Sequence, residues 1–275
     1  MTLPRVLVLT GYGLNCDNET VYACKKAGMA ASRVHINELI DGGVELFDFQ
    51  LMVFGGGFSW GDEHGGGVIQ SVRMQTALGD AVHRFIEKGN LLLGICNGFQ
   101  VLVNWGLLPG FENNYSRRQV ALTANDCGNF RDQWVTLRIN PNSPSVFTKG
   151  MDQIDLPVRH GEGRFFAEDE VVDQLIQNDQ VVMQYADENG RAAQGVFPQN
   201  PNGSLADIAG ICDPTGRVFG LMPHPEAYNH VANHPDWPRD KILTQRELNK
   251  KEPHPVTGIK IFENVAVYLN KQNSG

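Results

Sequence analysis

No stretch of this 275-residue chain approaches the roughly 18 consecutive apolar residues that span a bilayer, so a membrane-spanning helix is not expected. Basic residues are scarce. The 23 Lys and Arg against 31 Asp and Glu leave a formal charge of -8, which argues against a surface built to hold nucleic-acid phosphates. The five cysteines, at 16, 24, 96, 127 and 212, are odd in number and contain no C-x-x-C pair, so neither a disulfide framework nor a zinc ribbon is indicated. Reduced thiols fit a cytoplasmic protein. The first apolar run carries Arg5 and ends at Thr10, too short for a secretory h-region. There is also no G-x-x-x-x-G-K-[ST] loop and no dinucleotide-binding glycine fingerprint, so no nucleotide cofactor is expected in this chain. Neither an internal repeat nor a low-complexity tract is found.

What is present is the composition of an ordinary globular protein, 41% hydrophobic and 20% charged, long enough to bury a sizeable core. Short apolar runs at 6–10, 34–36, 49–54 and 91–95 read as strands, and 18–27 and 68–87 read as helices stopped by Gly28 and Gly89. Residues 91–95 are almost wholly apolar, as in a strand buried on both faces of a parallel sheet. From about 110 to 215 the runs shorten, with strand-like segments at 134–139, 181–185 and 207–211 between Asn, Pro and Gly. The pattern predicts a flavodoxin-like α/β fold: an open, mostly parallel sheet with helices on both faces and an added antiparallel region. One domain over 1–275 is expected, with a surface excursion at about 228–258 and an amphipathic helix at 259–269.

The sharpest feature is the passage from strand 91–95 through Gly94-x-Cys96-x-Gly98 into a helix, a nucleophile elbow with cysteine in the serine position. Small neighbours are needed because the nucleophile sits in a strained turn. The positive end of the following helix favours the thiolate that attacks. A thiolate that forms an acyl intermediate needs a base that also protonates the departing amine. His224 is the candidate, at the exit of a strand-like run over 217–222. Pro225 biases it toward extended backbone, in which Glu226, two residues on, faces the same side and orients the ring. The backbone N–H of Asn97 and the glycines at 55–57 are candidate oxyanion donors.

Six blocks carry a resemblance over nearly the whole chain: GLNCD at 13–17, GGFSWGD at 56–62, GICNGFQ at 94–100, PVRHGEGRF at 157–165, NPNGS at 200–204 and GLMPHPE at 220–226. Together they resemble the class I, or triad, glutamine amidotransferases. More narrowly, they are similar to the glutaminase components of phosphoribosylformylglycinamidine synthase, an enzyme of purine biosynthesis. The resemblance implies Cys96 as nucleophile, His224 as general base and acid, and Glu226 as the orienting carboxylate. It implies oxyanion N–H groups at Gly57 and Asn97, and contact between Gln100 and the bound glutamine. It further implies a synthetase partner subunit that holds ATP and Mg²⁺, in some systems with a small accessory subunit, and ammonia passing between the two active sites. Ala227 departs from the pattern, since many relatives carry Arg there.

Two other readings use the same residues. A non-catalytic or redox-sensing module of the same fold would keep Cys96 without a proton-transfer partner. A cysteine hydrolase acting on esters or peptides would share the elbow. A metal reading of His230 and His234, four apart, is disfavoured by Val231 in place of the H-E-x-x-H glutamate and by Pro235 and Pro238, so no metal site is expected.

Overall fold

The computed structural model describes residues 2–239, 241–242 and 256–272. The first half of the chain alternates strand and helix: β1 (Arg5–Thr10), α1 (Asp17–Lys26), β2 (Ala30–His35), α2 (Ile36–Ile40), β3 (Leu51–Phe54), α3 (Val68–Glu87), β4 (Leu91–Ile95) and α4 (Asn97–Trp105). The second half is richer in strands: β5 (Val120–Ala124), β6 (Arg131–Ile139), β7 (Gln153–His160), β8 (Glu162–Ala167), α5 (Asp169–Gln177), β9 (Val181–Ala186), β10 (Ile208–Cys212) and β11 (Val218–Leu221). A terminal helix follows at Ile259–Gln272.

Nine strands form one sheet in the order β2-β1-β3-β4-β11-β10-β9-β6-β7, and β5 pairs with β8 in a separate ribbon. From β2 to β11 every pairing is parallel, and from β11 to β7 every pairing is antiparallel. The parallel half has the flavodoxin-like arrangement, in which ligands sit beyond the carboxyl ends of the strands. Every residue of β3, β4 and β11 is buried, which explains why their sequences are continuously apolar rather than alternating. Apolar side chains from both halves of the sheet join one continuous core, together with Ile259, Phe262 and Val265 of the terminal helix. No helix among the described residues is long and apolar enough to cross a membrane.

The elements expected from periodicity are present, with shifts at their ends. β2 starts at Ala30, four residues before the expected run, and Ile36 leaves the strand to open α2. The break falls there because the His35 ring accepts from the Asn37 N–H at 3.1 Å while Glu38 accepts from the His35 N–H at 3.1 Å, a capping box. Asp207 stands outside β10. Its carboxylate instead accepts backbone N–H groups of Gln194 and Gly195, at 2.6 and 2.8 Å. β5, β7, β8 and α5 were not among the expected elements, although α5 is amphipathic, with Val171, Val172 and Leu175 turned to the core. In β7, Pro157 interrupts the pattern and is tolerated because β7 is the sheet's edge.

Of the excursion expected over 228–258, residues 240 and 243–255 lie outside the described residues. Its described beginning is not all surface. Tyr228 is buried, and its ring and that of His234 pack on Trp134, with centroids 5.0 and 4.6 Å away. His230 and His234 do not share a helical face, since Val231–Asn233 forms one 3-10 turn. Their rings are committed separately, His230 to the Ala232 N–H and His234 to Trp134 and the Asp236 N–H.

Candidate active site

Three strand ends meet at the carboxyl edge of the parallel half. β4 runs directly into Cys96, which adopts φ 52° and ψ -107° before α4 begins. Such a backbone costs on the order of 1–3 kcal/mol in a non-glycine residue and persists only where its surroundings enforce it. The enforcement is visible. The Cys96 N–H donates to the Leu221 carbonyl at 2.8 Å, which ties the elbow to the end of β11. A side chain at Gly98 would run into the Phe54 carbonyl of β3, and one at Gly94 would meet the Gly98 carbonyl at 2.7 Å. Strand, turn and helix therefore pack backbone to backbone around a 6% exposed thiol.

β11 runs parallel to β4 with Leu221 opposite Ile95, so the chain after β11 leaves beside the elbow. His224 donates its backbone N–H to the Pro157 carbonyl of β7 at 2.9 Å. Its Nδ1 lies 2.7 Å from Glu226 Oε1, and both side chains are buried. The contact is made through a 3-10 turn over Pro225–Ala227, not through the extended run that the spacing suggests. The turn swings Glu226 back under the ring.

Burial opposes a charge on His224, but Glu226 and then Cys96 more than offset it and hold the ring well above the usual imidazole range. Cys96 acts on the ring both through its charge and through a side-chain contact. The ring's Nε2 is buried and has no partner, while the Cys96 thiol contacts the Arg159 carbonyl at 3.7 Å. An imidazole nitrogen left free beside a thiol is suited to exchange a proton with it and with a leaving group.

The exit of β3 supplies a third wall. Leu14 and Gly57 form an isolated bridge in which Phe58 N–H donates to the Gly13 carbonyl and Asn15 N–H to that of Gly56. That pairing leaves the Gly57 N–H outside the ladder. Asn97 is the first residue of α4, where a backbone N–H has no intrahelical acceptor. Gly57, Cys96 and Gln100 line one cleft with Asp62, Arg159, His160 and Glu162. Gln100 is tied in place by donating to the Glu162 carbonyl at 2.7 Å and accepting from Asn97 Nδ2 at 3.1 Å. Asn97 Nδ2 also reaches Asp62 at 3.0 Å. Roomier clefts, beside Arg138 and Gln184 and beside Trp134 and His234, hold no nucleophile.

Four neighbours of the site were not singled out by sequence reasoning. Cys16 lies 3.9 Å from His224 Nδ1, and with His224 and Glu226 it forms a compact buried set of potential metal-ligating atoms. Burial pushes its thiol up from the ordinary range. His160 is held down to about 3 by burial and the nearby His224 charge. Burial and then Glu162 push Asp62 up to about 6. Tyr185, fully buried, approaches Asn202 of the NPNGS block. That block is a scaffold for the HGEGRF block: Asn202 donates to the Gly163 carbonyl at 2.9 Å, and the Ser204 hydroxyl accepts the Phe165 N–H at 2.9 Å. The only signal for Cys16 was its place in the GLNCD block.

A thiol on a strained elbow, beside a buried imidazole–carboxylate pair at the carboxyl ends of parallel strands, defines a class: enzymes working through acyl-cysteine intermediates. The chain belongs to the family of CobB/CobQ-like glutamine amidotransferase domains, which it matches over residues 3–269. It is 42% identical over 269 residues to the phosphoribosylformylglycinamidine synthase subunit PurQ of Methanococcus maripaludis, covering 98% of each chain. It is 41% identical over 271 residues to the PurQ subunit of Dehalococcoides mccartyi, covering 98% of this chain and 100% of that one. Among solved structures it resembles a chain of PurLQS from Thermotoga maritima, with TM-score 0.69 and 28% identity over 98% of this chain and 100% of that chain.

Proposed function

We propose that this chain, working as one domain, is the glutaminase subunit of a phosphoribosylformylglycinamidine synthase, and that Cys96, His224 and Glu226 carry its chemistry. The observation that carries the reading is the junction of β4 and β11, which sets the elbow thiol beside the buried His224–Glu226 pair. Full-length similarity to PurQ subunits and to a chain of PurLQS supports the choice of synthase.

The Cys96 thiolate attacks the side-chain amide carbon of glutamine, and the carbonyl oxygen becomes an oxyanion facing the Gly57 and Asn97 N–H groups. His224, carrying the thiol proton, gives it to the departing nitrogen, so ammonia leaves and a thioester remains. Water then attacks the thioester, His224 takes its proton, and glutamate is released with the thiol restored. Glu226 stabilises the ring while it is charged. Gln100 contacts the substrate from the cleft wall.

Joining ammonia to the amide of formylglycinamide ribonucleotide requires activation by ATP. ATP and Mg²⁺ belong to the synthetase partner, with a small accessory subunit in some assemblies, and the ammonia passes between subunits in the cytoplasm. The test mixes the chain with glutamine, ATP, Mg²⁺ and formylglycinamide ribonucleotide, with and without a synthetase subunit. Formylglycinamidine ribonucleotide is expected only with both. Cys96→Ala is expected to abolish glutamine-dependent product while ammonium salt still supports it. Full glutamine-dependent turnover by Cys96→Ala would overturn the assignment.

A further inference from the structure

His224 Nδ1 faces two groups, not one. Glu226 Oε1 accepts from it at 2.7 Å, and the Cys16 sulfur lies 3.9 Å away. One ligand atom from each of Cys16, His224 and Glu226 lies within 4.8 Å of the others, and no other such trio occurs among the described residues. All three residues are buried. The set is held against backbone, since a Cβ at Gly56 would meet His224 Cε1 at 2.6 Å and the Cys16 sulfur at 3.2 Å.

Glutamine hydrolysis leaves two features of this trio unused. It needs the His224–Glu226 pair but gives the Cys16 thiol no task, and that thiol's other contact is Asn15 Oδ1 at 3.3 Å. The second carboxylate oxygen, Glu226 Oε2, is buried without a hydrogen bond, which costs free energy unless a cation meets the charge. A thiol, an imidazole nitrogen and a carboxylate are donors suited to zinc and not to magnesium or calcium. The spacing agrees, because zinc bonds of about 2.3 Å to sulfur and about 2.0 Å to nitrogen place those two atoms roughly 3.6 Å apart in a tetrahedron. The His224–Glu226 contact opens to roughly 3.3 Å once an ion replaces the proton between its two atoms.

We propose that Cys16, His224 Nδ1 and Glu226 form an inhibitory site for Zn²⁺. The Cys16 thiol gives its proton to water and binds as thiolate. Zinc takes the Nδ1 lone pair, so the proton that the ring keeps sits on Nε2, and any second ring proton also leaves to water. Thiolate and carboxylate balance the two charges of the ion, and the buried site stays neutral. With Nε2 protonated and Nδ1 bound to metal, the imidazole can no longer accept the Cys96 proton, and glutamine hydrolysis stops. The inference rests on the glutaminase reading for this consequence, though not for the binding itself.

The test has two arms. In the first, Co²⁺ stands in for zinc and is added to the full chain carrying Cys96→Ala and Cys127→Ser, which removes the nucleophile and the half-exposed thiol. A near-ultraviolet thiolate band and the visible bands of a tetrahedral ion are expected, both bleached by Zn²⁺, and adding Cys16→Ser removes the thiolate band. In the second arm, the complex with the synthetase, with Cys96 and Cys127 intact, is titrated with Zn²⁺. Glutamine-dependent product falls while ammonium-supported product continues. Cys16→Ser, measured against its own uninhibited rate, raises the half-inhibiting Zn²⁺ concentration by about tenfold or more. A thiolate band that survives Cys16→Ser, or half-inhibition that it does not move, would overturn the inference and leave the glutaminase reading standing. Where Cys16→Ser fails to fold, cadmium NMR on the first-arm chain with Cys16 intact decides, and a resonance without sulfur ligation overturns the inference. A Cys16-dependent thiolate band alongside a metal-free complex that cannot use glutamine would sink the glutaminase reading and leave the metal site in place.

Discussion

His224 Nδ1 and Glu226 Oε1 lie 2.7 Å apart with no exposure of the carboxylate, so the imidazole is oriented by a charge that water cannot screen. The second oxygen of Glu226 is buried without a partner, which leaves the ring as the only group the carboxylate serves among the described residues. Glu226→Gln keeps the shape and removes the charge. Glutaminase kcat is expected to fall about a hundredfold or more, with a smaller change in KM. The imidazole titration of His224, followed by NMR, should move down from its raised position.

The elbow gives a sharper structural prediction. Because a Cβ at Gly98 would enter the Phe54 carbonyl of β3, no side-chain rotation can relieve Gly98→Ala. A loss of about 2 kcal/mol or more is expected in the urea midpoint, together with glutaminase activity. A variant of wild-type stability would show that β3 and α4 sit farther apart than described.

Acid should weaken this protein through His160. Its native ionisation lies near 3, below the ordinary imidazole value of about 6.5 that the unfolded chain would show. Between those values the unfolded state binds the extra proton, so stability falls as pH drops below about 6.5, by up to about 1.4 kcal/mol per pH unit. His160→Gln should flatten that limb. Urea midpoints of both proteins at pH 5 and pH 7 check it, and equal pH slopes would contradict it.

The two cysteines beside His224 should behave differently. Burial raises the Cys16 thiol, so at pH 8 it remains protonated and unreactive despite lying 3.9 Å from the imidazole. Mass-spectrometric mapping after brief iodoacetamide treatment is expected to find the label on Cys96 and none on Cys16. Preferential modification of Cys16 would reverse their assigned roles.

The parallel half and the elbow were legible because they obey local rules. β3 and β4 are all apolar since both faces are covered, and the Gly94-x-Cys96-x-Gly98 spacing marks the elbow locally, although Gly98 itself answers to the Phe54 carbonyl of β3. His224 and Glu226 were legible from their two-residue spacing, although a 3-10 turn rather than an extended run joins them. The cleft wall was not. Asp62, Arg159 and Glu162 converge only because β7 and β8 return across the site, and that return depends on side-chain bonds from Asn202 and Ser204 some forty residues downstream. β7 hides behind Pro157, whose penalty vanishes at a sheet edge. Cys16 meets His224 because β1 and β11 both end near β3 and β4, a fact of strand order that no local pattern carries.

That strand order also governs when chemistry can begin during synthesis. The wall that holds Cys96 in its strained turn is completed by β11, the last strand among the described residues, and His224 follows it within three residues. A growing polypeptide therefore presents the cysteine well before the imidazole and the strand that constrain it.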